Sequence, residues 1–338
     1  VEVKLDQAVA GGFKVDVSLA SGGAHPATSG TDYVDPSPVT LTFAGTANET
    51  QTFQVTTSND AIVEPDETYT LSMSNLRDQT VSSSTVDITD TAIGTISNDD
   101  SAALTIADVS VTEGGVQTVE VKLDQAVAGG FKVDVSLAGG GSHPATSGTD
   151  YVDPSPVTLT FAGTANETQT FQVTTSSDAI VEPDETYTLS MGNLRDQTVS
   201  SATVDITDTA VGTITNDDAA ALTIADVSVA EGGTQTVTVQ LYQAVQGGFK
   251  VDVSLWSGGA HPATSGTDYV DPSPVTLTFA GTANETQTFQ VTTSSDTVVE
   301  PDETYTLSMG NLRDQTVSSS TVDITDTAVG TITNDDAA

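Results

Sequence analysis

GTDYVDPSPVTLTFAGTANETQTFQVTTS, residues 148–176, holds two runs whose apolar residues fall at every second position, VTLTF and TQTFQVTT, separated by a Gly-, Ala- and Asn-bearing segment. A period of two places every second side chain on one face of a pleated strand, so both runs read as half-buried strands. The same 29 residues recur at 30–58 and 266–294, an offset of 118 residues each time. GGFKVDVSL recurs with the same offset, at 11, 129 and 247. A period above a hundred residues is too long for a solenoid unit and matches a domain.

The chain therefore reads as three domains in tandem: a partial copy at 1–100, and complete copies at 101–218 and 219–338. It opens on VEVKLDQA, which recurs at 119–126 inside the second copy, so residue 1 is expected to lie within a repeat of a longer protein. Working outward through the second copy, alternation marks seven strands, near 103–112, 117–124, 131–137, 157–162, 168–175, 185–192 and 203–215. Val119, Val121 and Leu123 share one face, as do Tyr187, Leu189 and Met191, against Thr, Glu, Lys and Ser on the other. No helical period appears. Seven such strands per copy predict an all-β chain of tandem antiparallel β-sandwiches with an immunoglobulin-like layout.

The formal net charge is −39, from 47 acids against 8 Lys and Arg. A surface so short of bases repels phosphates and excludes nucleic acid as a partner; it favours cations or a salty medium. Without cysteine there are no disulfides and no thiolate metal sites. No apolar run is long enough to span a membrane. One His per copy, without a persuasive nucleophile nearby, argues against an enzyme.

Strands that run alternately up and down sort the loops between two poles. In the second copy one pole collects Glu113 from the first turn, Asp150 and Asp153 from the third-to-fourth connection, Asp178, Glu182, Asp184 and Glu185 from SSDAIVEPDETYTL (176–189), and Asp217 and Asp218 after the last strand. The opposite pole receives Asp124, Glu167 and Asp196. Nine carboxylates converging from separate stretches of chain repel one another unless a cation sits among them. Ca²⁺ takes about six to eight oxygen ligands in flexible geometry, whereas Mg²⁺ keeps its water and zinc calls for His or Cys. Calcium fits best, as one ion or two adjacent ones.

The Glu-Gly-Gly after the first strand, the GTDY segment, the D-x-x-x-E-x-D-E stretch and the closing NDD together resemble the Calx-β domain family over essentially the whole chain. That family is a calcium-binding sandwich found in sodium/calcium exchangers and in tandem arrays of large bacterial surface proteins. By position, the resemblance implies calcium ligands at Glu113, Asp150, Asp178, Glu182, Glu185, Asp217 and Asp218 in the second copy. In the third it implies Glu231, Asp268, Asp296, Glu300, Glu303, Asp335 and Asp336. The first copy, which lacks the first strand and its Glu, keeps Asp32, Asp60, Glu64, Glu67, Asp99 and Asp100. Asp66, Asp184 and Asp302 rank below these.

The linkers are a few residues long, Asp99-Asp100 running into SAALTI and Asp217-Asp218 into AAALTI. The acidic pole of each domain is therefore expected to abut the next. The expected function is a calcium-rigidified extender of a large bacterial surface adhesin, extracellular and monomeric, whose partners are calcium ions and neighbouring repeats. Regulatory calcium sensing, ligand binding by the repeats themselves and an accessory role in an extracellular enzyme are the alternatives.

Overall fold

In a computed structural model, the structure describes residues 1–337; Ala338, the last residue assigned to the third repeat, lies outside them. The chain is all-β, a tandem of sandwich domains, with three short 3₁₀ turns as its only helical elements among the described residues. In the second repeat one sheet orders Tyr151–Val152, Thr168–Thr175, Val116–Leu123, Ala102–Ile106 and Val204–Asp205. The facing sheet orders Val109–Thr112, Thr209–Thr215, Glu185–Arg195, Phe131–Gly139 and Val157–Phe161. The third repeat reproduces both sheets strand for strand.

Two runs that alternation marks as single strands, 103–112 and 203–215, are each broken in two. The first strand begins in one sheet as Ala102–Ile106 and ends in the other as Val109–Thr112. The last strand crosses likewise, so the two run parallel in both sheets. Aspartates hold the crossing points. Asp208 Oδ2 accepts from the Ile106 amide at 3.0 Å, and Asp108 Oδ1 from the Val211 amide at 2.7 Å. Each takes up a donor that the change of sheet removes from a ladder.

Between the sheets Val119, Val121, Leu123, Tyr187 and Leu189 are buried. Phe131 stacks on Phe161 at 5.2 Å and Tyr151 on Tyr187 at 4.9 Å, offset pairs that add to the burial of the rings. Burying the Tyr187 hydroxyl requires a partner, and Gln117 accepts it while donating to the Thr213 carbonyl at 2.8 Å. Gly212 lies against the Tyr187 ring, where a Cβ would approach Cζ to 2.2 Å. Glycine is the residue that admits the tyrosine.

The first repeat keeps a four-stranded sheet, Val39–Phe43, Phe13–Ser21, Glu67–Arg77 and Thr91–Ile96, and its facing sheet is reduced to two-stranded ribbons. Among the described residues no strand covers the edge of Thr91–Ile96. Ile93 is accordingly 73% exposed, against 40% for Val211, which takes its place in the second repeat.

The repeats also pair with each other. Ile62–Val63, inside the acidic loop of the first repeat, runs parallel to Ala126–Val127 of the second. Ile180–Val181 pairs in the same way with Ala244–Val245 of the third. Val63 and Val181, 0% exposed, belong to the hydrophobic core of the following repeat.

Candidate metal centre

The two strands that flank the acidic loop end at one pole, and the loop's own turns aim its carboxylates. Asp178 accepts from the Ile180 amide at 2.7 Å, and the Glu182 amide donates to Asn216 Oδ1 at 2.8 Å. Asn216 Nδ2 donates to the Asp218 carbonyl at 2.8 Å, and the Asn216 amide to Asp184 Oδ1 at 3.2 Å. Asn216 thus ties the acidic loop to the segment after the last strand. Asn98 and Asn334 do the same in the other repeats. In the sequence this asparagine stands out only as the first residue of the closing NDD, and its recurrence in all three copies is the available signal.

Each complete repeat groups its acids into two triads, and within each triad one carboxylate oxygen per residue lies within 4.8 Å of the others. In the second repeat the triads are Glu113, Asp178 and Asp218, and Asp150, Glu182 and Glu185. In the third they are Glu231, Asp335 and Asp336, and Asp268, Glu300 and Glu303. The first repeat, without the first-turn Glu, has among the described residues the single triad Asp32, Glu64 and Glu67.

The remaining candidates stand beside these groups. Asp60, Asp99 and Asp100 line the cavity of the first triad, and Asp296 lines the cavity that Glu231 shares with Asp268. Asp217 lies outside its repeat's triads, close enough for its charge to act on Glu113 and Asp218. Asp184 serves the Asn216 amide, as Asp66 serves Asn98 and Asp302 serves Asn334. Asp153, which alternation also brings to this pole, is taken up by the Ser155 amide at 2.8 Å.

Crowding shows in the proton affinities. Burial, then the charges of Asp178, Asp218, Glu182 and Asp217, pushes Glu113 up to about 7. Burial and a hydrogen bond with Asp150 push Glu185 up to about 8; burial and a hydrogen bond with Asp32 push Glu67, and burial and the charge of Asp268 push Glu303, up to about 7. The bases lie elsewhere: Arg195 pairs with Asp134 at 2.8 Å and Lys132 with Asp196 at 2.7 Å, toward the opposite pole. Asp218 Oδ2 and Asp336 Oδ2 are buried with no hydrogen-bond partner. Oxygen donors alone, too close to ionise together and with one buried lone pair unmet, make a cradle for a hard cation.

Replacing Asn216 with Ala removes the two side-chain bonds that tie the pole together. The expected cost is about 2 kcal/mol at roughly 1 kcal/mol per bond, read as a lower melting temperature for the second repeat, while Asp184→Ala loses about half as much.

Several solved structures resemble the chain. The CBD12 tandem from CALX1.2 is 17% identical over 68% of this chain and 99% of its own, with a TM-score of 0.31. CBD12 of CALX1.1 is 16% identical over 67% and 98%, with a TM-score of 0.29. Apo-form Calx CBD1 is 20% identical over 35% and 100%, with a TM-score of 0.30. A search of curated protein sequences finds no match. The Calx-beta domain family matches at residues 1–100, 97–218 and 216–336, three consecutive stretches that span nearly the whole chain, and the chain belongs to that family.

Proposed function

We propose that the chain is a calcium-binding repeat array whose ions stiffen it into an extender of a larger secreted or bacterial cell-surface protein, without catalytic activity of its own. The observation that carries the calcium reading is the pairing of two carboxylate triads at one pole of each complete repeat, beside a buried aspartate oxygen that nothing else satisfies. In the second repeat Glu113, Asp178 and Asp218 hold one ion, and Asp150, Glu182 and Glu185 the other. Asp217 adds field or a further ligand.

The extender reading rests on the near-identity of the repeats, their short linkers and the strand pairing across both joints. A chain whose work is length is served by copies of one stiff unit, and an adhesin that holds its binding domain away from the cell uses such a unit. The experiment is isothermal calcium titration of the full chain with small-angle X-ray scattering before and after chelation. Five triads predict about five ions, and a chain that lengthens and straightens as they bind. A chain that takes up no calcium at millimolar concentrations would sink the metal reading; uptake with no change of shape would sink the extender.

A further inference from the structure

In the second repeat the acidic loop carries two devices within five residues. Asp178 and Glu182, one from each triad, flank Ile180–Val181, the pair that adds a short strand to the third repeat. The Gln246 amide donates to the Val181 carbonyl at 2.9 Å. Its side chain reaches back, Nε2 donating to Glu182 Oε1 at 3.1 Å, so the third repeat touches a carboxylate of the second repeat's metal pole. The first joint repeats the backbone arrangement, the Ala128 amide donating to the Val63 carbonyl at 2.8 Å.

The third repeat supplies the comparison. Its loop, SSDTVVE, has the same acids but no repeat packed on it; no strand forms there, and Val298 and Val299 are 55% and 53% exposed. At the other end Val9, which takes the place of the buried Val127, is half-exposed, with no strand beside it. The two ends are the complementary halves of the joint that occurs twice within the chain, a head-to-tail contact that extends without closing.

We infer that the apolar pair in the acidic loop is a docking strand presented to the next repeat when cations fill the loop around it, and that Val298–Val299 offers this surface to the Ala–Val edge of a further repeat of this sequence. The inference rests on the calcium reading and names the partner and the route by which occupancy reaches it. An empty loop has Asp178 and Glu182 pushing apart around two apolar residues. An ion in each triad fixes both carboxylates, and with them the backbone between, so that its carbonyl and Val181 arrive together, as in strand addition to a sheet edge.

The test uses the full chain with calcium as the probe: titration counts ions, hydrogen exchange reads the Gln246 amide, and scattering reads length. Calcium is expected to slow exchange at Gln246 at least tenfold. Val181→Asp keeps the ion count but loses that slowing and shortens the chain. Val299→Asp, at an uncovered position, changes neither. In a chain extended by a further copy of residues 219–337, calcium newly protects the amide that takes the Gln246 position in the added copy, and Val299→Asp abolishes that protection. Should Val181→Asp unfold the third repeat, seen as fast exchange at Tyr305, Val181→Ala gives the same comparison. Ion uptake with exchange at Gln246 indifferent to calcium, or an added copy left undocked, overturns the inference and leaves the calcium reading standing. A chain that takes up no calcium overturns both.

Discussion

Chelating calcium is expected to lower the melting temperature of the second and third repeats by roughly 20 °C. An ion that binds only the folded state stabilises it by about 2.7 kcal/mol at a hundredfold excess over its dissociation constant, so two triads give about 5 kcal/mol per repeat. Spread over an unfolding entropy of about 2.1 cal/mol/K per residue for a domain of this length, that is the stated shift. The first repeat, with one triad, is expected to fall by about half as much and to melt first in either condition, since the edge beside Ile93 is uncovered. Calorimetry in calcium and in chelator checks this. Coincident traces would mean that the carboxylates are a solvated acidic coat, and magnesium should reproduce little of the shift because it gives up its water reluctantly.

The sandwich was legible because alternation is a local property. Val119, Val121 and Leu123 declare their shared face without reference to anything else in the chain, and they are buried together. What the sequence hid depends on partners far away in it. Nothing in ALTIADVSVT marks a break at Ala107-Asp108, because the break exists to hand the Asp108 side chain to the Val211 amide, about a hundred residues on. The acidic loop was legible as acidic and as belonging to one pole, but its division into two triads depends on how Asn216 draws Asp218 inward.

The docking pair was the least visible feature. Ile180 and Val181 are adjacent, so they lack the alternation that marks a strand, and their partner belongs to another repeat. Two neighbouring apolar residues amid four acids were a signal all the same. In a loop exposed to water on every side they would have little to gain.

Replacing Glu185 with Gln is expected to move the metal-free and calcium-loaded chains in opposite directions. Burial and Asp150 raise the Glu185 carboxyl from an ordinary 4.5 to about 8. Between those values the unfolded chain has released a proton that the folded chain still holds, so folding becomes less favourable as pH rises. The stability of the metal-free second repeat is therefore full below about pH 4.5 and is lost as pH climbs through about 8, with Glu113, raised to about 7, acting in the same direction. Glutamine removes one of these groups and its repulsion toward Asp150. The metal-free variant should melt several degrees above wild type at pH 8, match it near pH 5, and show a shallower pH dependence. Calcium reverses the order. The second triad loses a charged ligand, and because ligand charge tunes such sites over decades of affinity, uptake there should weaken on the order of tenfold to a hundredfold. Melting curves at both pH values, with and without calcium, together with a titration, read all of this in one set of samples. A metal-free variant less stable than wild type at pH 8 would mean that Glu185 contributes to the fold through contacts rather than opposing it by charge, and the triad would then be a structural hydrogen-bond cluster instead of a cation cradle.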